Sequence, residues 1–111
     1  YTHPEVASVG LTEEDAKAQG IDYEVHKLSM RYAGRFVAEN EGEDGICKIL
    51  VGKEHRNILG VHMLGNSSSE AIWGAALMIE QELRVKDVKE IIFPHPTVSE
   101  IIRETIWEFK D

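Results

Sequence analysis

The chain predicts an α+β fold: a mainly antiparallel sheet with helices packed on it. Two observations carry this reading. Residues 46–51 and 58–64 are apolar, strand-like runs joined by a short polar connection, as in a hairpin. Farther on, residues 67–83 and 98–109 repeat apolar residues at helical spacing, so consecutive helices follow the strands.

Taken in order, the first clear element is a helix over 13–19. Thr12 can cap it, Asp15 sets a negative charge against the helix dipole, and Gly20 ends it. Residues 23–28 alternate apolar and polar side chains, which predicts a half-buried strand. The stretch 31–44 is irregular, and its glycines and acids (Glu39, Glu41, Glu43, Asp44) suggest loops around a short element. In the hairpin that follows, Gly60 and Gly65 would weaken isolated strands, so they mark a bulge or a close backbone approach. The longest helix is expected over 67–83, with Ile72, Ala76, Ile79 and Leu83 on its inner stripe. Gly74, Ala75 and Ala76 would let it pack closely, although the serine-rich start at 66–70 leaves its beginning open. A short helix over 85–91 and a final one over 98–109, with Ile102, Ile106 and Phe109 on one stripe, complete the chain.

A length of 111 residues suits one domain, 1–111, and is enough for a core without staples. With 42% hydrophobic and 29% charged residues the chain is globular rather than disordered. No apolar run approaches the ~20 residues needed to cross a bilayer, and the opening lacks the basic-then-apolar pattern of a secretory signal. It begins with Tyr1 rather than methionine, as an excised fragment would. Twenty acids against 12 bases leave a net charge of −8 with no basic cluster, which argues against nucleic-acid binding. Such a surface favours solubility and would steer a basic partner toward the chain. The one cysteine, Cys47, excludes an internal disulfide and lies in an apolar strand pattern, where packing is its expected role.

The segment richest in chemistry is Phe93-Pro94-His95-Pro96-Thr97-Val98-Ser99-Glu100. The prolines on either side of His95 stiffen the backbone that presents the imidazole, and Pro96 moves His95 out of helical geometry. The His95–Pro96 bond is also a candidate for cis geometry. Five residues on, Glu100 falls in the first turn of the last helix, where its carboxylate can reach back to one ring nitrogen. That contact would set the tautomer and leave the other nitrogen as a base. Thr97 and Glu100 also have the spacing of a capping box, in which Glu100 bonds only a backbone amide. His3, His26, His55 and His62 lack zinc-site spacing, and no metal site is expected. There is neither a Walker motif nor a GxGxxG pattern. Trp73 and Trp107 are expected as core or interface anchors rather than ligand platforms.

Three segments in this order resemble the carboxy-terminal dimerisation domain of the pyridine nucleotide-disulfide oxidoreductases along nearly the whole chain. They are the opening residues 1–13, the hairpin with Ile58-Leu59-Gly60-Val61-His62-Met63-Leu64-Gly65, and His95-Pro96-Thr97-Val98-Ser99-Glu100. Within that family the dihydrolipoamide dehydrogenases are most similar, since their signature reads His-Pro-Thr, an aliphatic residue, serine and glutamate. Glutathione-reductase-like enzymes share the His and Glu and are the alternative, as is a purely structural association module. Mercuric reductases end in paired cysteines that this sequence lacks. The resemblance implies that His95 is an acid–base catalyst oriented by Glu100, with His95 and Pro96 near the flavin of the other subunit. It further implies a homodimer, FAD and NAD in the full-length enzyme with neither held by this fragment alone, and a dihydrolipoyl substrate. The implied reaction passes electrons from the dihydrolipoyl thiols through a redox disulfide and FAD to NAD⁺. An acyltransferase subunit of a 2-oxo acid dehydrogenase complex is the implied partner. The implied location is the bacterial cytoplasm or the mitochondrial matrix. The long and final helices are the faces expected to meet the second subunit.

Overall fold

The computed structural model describes residues 5–33, 36, 44–66, 68–91 and 99–111, and in it four strands form one antiparallel sheet. Strands β1 (Val6–Gly10), β2 (Tyr23–Ser29), β3 (Ile46–Gly52) and β4 (Ile58–Leu64) stand side by side in the order β1-β4-β3-β2. The expected hairpin is the centre of this sheet. β1 was not anticipated, because a five-residue run with the small Ala7 and Ser8 shows little alternation. Its pairing partner supplies what its own sequence lacks: Val6 lies opposite Leu64 and Gly10 opposite Gly60.

Side chains alternate across the strands. Cys47, Ile49 and Val51 of β3 and Val61 and Met63 of β4 point to one face and are buried there. Two helices cover that face: α2 (Ser68–Glu80) lies on β1 and β4, and the last helix, α4 (Glu100–Ile106), lies on β3 and β2. Ile101, Ile102, Ile106 and Phe109 close the core together with Met30 and Phe36. The first helix, α1 (Glu13–Ala18), sits on the opposite side, where Glu13 pairs with Lys48 and accepts a bond from the Tyr23 hydroxyl at 3.0 Å. Its capping box is complete: Thr12 and Asp15 exchange bonds of 3.1 Å in both directions.

Gly60 serves both expected purposes. The register steps from Leu50–Gly60 to Val51–Ile58, which leaves Leu59 unmatched as a bulge. Leu11 crosses β4 at that point, its amide bonded to the Leu59 carbonyl at 2.9 Å, and a Cβ on Gly60 would stand 2.0 Å from the Leu11 oxygen.

The long helix differs from expectation in two ways. It stops at Glu80 because Glu82 turns left-handed (φ 54°) and the Leu83 amide bonds back to Met78 at 3.0 Å. The Leu83 carbonyl is taken by the Ile58 amide at 2.9 Å, so the chain is drawn off the helix onto the hairpin. The deepest line on α2 is Ala71, Ala75 and Met78, one residue round from the expected stripe. Ile72, Ile79 and Leu83 pack at its margin instead. Of the small residues, Ala75 is buried, whereas Gly74 opens outward with nothing within 4 Å of a Cβ position. The serine-rich start has a purpose: the Ser68 hydroxyl donates to the Gly65 carbonyl at 2.6 Å, and the Ser69 amide bonds Glu5 at 3.1 Å. A shorter helix than expected, α3 (Val85–Lys89), joins this region to α4. Most of the 31–44 stretch, with Glu39, Glu41 and Glu43, lies outside the described residues, as does Val98.

Candidate functional site

Glu100 is the first residue of α4, with Ser99 in the cap position. Its carboxylate is buried, with 6% of the residue exposed. The next two residues, Ile101 and Ile102, enter the core, so the helix pitch sets Glu100 at the core's rim. One turn on, Arg103 places Nη2 3.7 Å from Glu100 Oε2 and 2.7 Å from Glu104 Oε1. These two carboxylates raise the guanidinium pKa above its ordinary value, the hydrogen bond it donates to Glu104 contributing most. His95 and Pro96, the other residues assigned to the site, lie outside the described residues, and so does Thr97.

The helix that carries Glu100 is pinned at its far end. Lys89 Nζ donates to the Phe109 carbonyl at 2.8 Å and to Asp111 at 2.7 Å, and it sits 4.9 Å from the centre of the Trp107 ring. Arg56 donates from Nη2 to the Lys110 carbonyl at 2.5 Å and from Nη1 to Glu24 at 3.0 Å. Glu24 in turn accepts from His26 at 2.9 Å, and the His26 ring meets Phe109 edge-on at 4.5 Å. Three elements therefore hold the last turn, and with it the axis along which Glu100 projects. Sequence reasoning missed both this clamp and Arg103. The Glu100–Arg103 spacing of three was a readable signal, whereas the clamp joins residues far apart in sequence.

Of the remaining candidates, His62 and Cys47 have structural roles, and His3 lies outside the described residues. His62 donates from Nε2 to the Leu11 carbonyl at 2.8 Å, and His55 is exposed beside Glu54. Cys47 is fully buried, and burial pushes its thiol up to about 12, so it is no nucleophile at neutral pH. Trp73 (72% exposed) and Trp107 (56%) stand outside the core. Among the described residues, no three or more His, Cys, Asp or Glu side chains converge on a metal position. An open groove of about 620 Å³ is lined by Gly20, Asp22, Gly52, Lys53, His55 and Asn57, and Glu100 is not among its walls. Its lining includes neither a glycine-rich phosphate loop nor the start of a long helix. The described part of the site is thus a buried carboxylate at the head of a helix whose far end is clamped.

Residues 1–106 match the family described as the pyridine nucleotide-disulphide oxidoreductase dimerisation domain. The chain belongs to this family. The dimerisation domain is 42% identical over 104 residues to dihydrolipoyl dehydrogenase 1, mitochondrial, of Arabidopsis thaliana, a match that covers 94% of this chain and 20% of that protein. It is 39% identical over 106 residues to the dihydrolipoyl dehydrogenase of Rhizobium etli, covering 96% of this chain and 22% of that protein. Among solved structures, the HOCl-induced flavoprotein disulfide reductase of Escherichia coli superposes with a TM-score of 0.88 at 27% identity, over 97% of this chain and 25% of that one. The dimerisation domain thus spans about a fifth of the length of these curated relatives. No helix among the described residues is long and apolar enough to cross a membrane.

Proposed function

We propose that residues 1–111 are one dimerisation unit of a longer dihydrolipoyl dehydrogenase, to which they contribute an acid–base pair, His95 and Glu100. The observation that carries this reading is the match at about two residues in five to dihydrolipoyl dehydrogenases along nearly the whole chain. The buried Glu100 at the head of a pinned helix supports its half of the pair. In this reading His95 takes a proton from a dihydrolipoyl thiol. The thiolate then attacks a disulfide held elsewhere in the parent, since thiolate is the reactive form. A carboxylate against the imidazole favours the imidazolium and so strengthens the base. FAD and NAD⁺ supply the electron path and are held by parts of the parent outside this chain, although His95 and Pro96 are expected close to the flavin. The steps assigned to this domain are proton transfers.

The parent forms a homodimer, with an isologous contact about a two-fold axis. The long helix supports this by presenting Trp73 and Leu77 outward one turn apart. The final helix does not support it in the same way, because its apolar residues are consumed by the core. The acidic surface is compatible with a basic segment of an acyltransferase subunit of a 2-oxo acid dehydrogenase complex. A matrix location would accord with the mitochondrial name of the Arabidopsis relative, and a bacterial cytoplasmic one with a bacterial source such as that of the Rhizobium relative.

The test is a paired assay of the full-length parent: dihydrolipoamide with NAD⁺, and glutathione disulfide with NADPH. NADH formation in the first, abolished by His95→Gln and lowered less by Glu100→Gln, is the expected result. A general base of this kind contributes ~100- to 10,000-fold. Activity only in the second assay would move the parent to the disulfide reductases, a reading to which the Escherichia coli flavoprotein structure lends weight. Wild-type turnover in both variants would remove the pair from the mechanism.

A further inference from the structure

We infer that Arg103 is a positioning residue for the acid–base pair, holding the buried Glu100 carboxylate charged and oriented without hydrogen-bonding it. The inference rests on the role proposed above for Glu100. A carboxylate withdrawn from water loses much of the stabilisation of its ionised form and needs a cation in return. Glu100 has only 7% of its side chain exposed, whereas the Arg103 side chain has 37% and links the rim of the core to solvent. The Nη2–Oε2 distance of 3.7 Å lies within ion-pair range but beyond a hydrogen bond. The cation therefore acts on this carboxylate through its field rather than through a hydrogen bond of its own. Glu104 keeps the guanidinium at that distance, accepting its hydrogen bond at 2.7 Å. Glu100, Arg103 and Glu104 share one face of α4 at spacings of three and four, so the arrangement is built into a single helix.

The experiment measures kcat and KM for dihydrolipoamide in the full-length parent carrying Arg103→Gln, Arg103→Lys, Glu100→Gln, the Arg103→Gln/Glu100→Gln double variant, or His95→Gln. We expect Arg103→Gln to lower kcat about tenfold, a part of what an oriented base contributes, with KM nearly unchanged. Arg103→Lys, which keeps the charge, should restore most of the loss, and this conservative variant guards against a simple folding defect. On the Glu100→Gln background, Arg103→Gln should have no further effect, because its target is already gone. Wild-type kcat in Arg103→Gln, no recovery with lysine, or losses that multiply in the double variant would overturn the inference. His95→Gln separates the two levels. If that variant stays active, the proposed pair itself fails; if it is inactive while the Arg103 and Glu100 losses multiply, only the role of Arg103 falls.

Discussion

Gly60 has no room for a side chain, since the added carbon would meet a backbone oxygen of Leu11 rather than the movable end of a side chain. Relief would require the 10–11 segment to lift off β4, breaking the Leu11–Leu59 and His62–Leu11 bonds. We therefore expect Gly60→Ala to destabilise the domain by about 2 kcal/mol or more, at the upper part of the usual overpacking range. The check is the shift in urea midpoint, and an unchanged midpoint would show that the crossing yields freely. The need for glycine at this position was legible in the sequence, because a glycine inside a strand pattern marks a bulge or a close backbone crossing. Its partner was not, since nothing local to Gly60 points to Leu11. The same division holds at the candidate site. The spacing from His95 drew attention to Glu100, but the degree of its burial depends on how deeply α4 seats against the sheet.

At the scale of elements, legibility followed the length and amplitude of each pattern. β2, β3 and β4 were readable because six or seven residues alternate or run apolar, whereas β1 is defined by its neighbour. The long helix is readable as a helix, but its sequence points to the row with the larger side chains as the inner line. Alanines 71 and 75 face the sheet because small residues let the helix approach it, and the bulkier Ile72 and Ile79 then fill the edges. Several element boundaries are fastened by carboxylates whose pKa is lowered. Asp15 is lowered by the Thr12 bonds that cap α1, and Asp44 by the Ser29 hydroxyl before β3. Glu13 is lowered chiefly by Lys48 and Glu24 chiefly by His26. A folded-state pKa below the unfolded value adds stability that is complete above the unfolded value and disappears as pH falls through the folded one. Stability should thus hold level from neutral pH to about 5 and decline below about 4.5, near the ordinary carboxylate range. Thermal melts across pH 3–7 would check this; a melting temperature that rises toward pH 3 would contradict it.

For the molecule as a whole, three short segments in a fixed order were enough to indicate the family, while no single element was. The superposition on the Escherichia coli flavoprotein at 27% identity shows how much substitution the fold tolerates. Alternation, a few tight backbone crossings and a filled core constrain it, and most surface positions do not. One consequence concerns sulfur bookkeeping in the parent. Cys47 lies beneath α4, where burial pushes its thiol up to about 12 and disfavours the thiolate at neutral pH. In a family of disulphide oxidoreductases, a spare reactive sulfur would be a place for mixed disulfides to form. Burial keeps Cys47 out of such exchange. A colourimetric thiol count on the native parent should accordingly miss this cysteine and recover it, one per chain, only after denaturation. Were Cys47 to react in the folded protein as fast as a free thiol, the insulation would not exist.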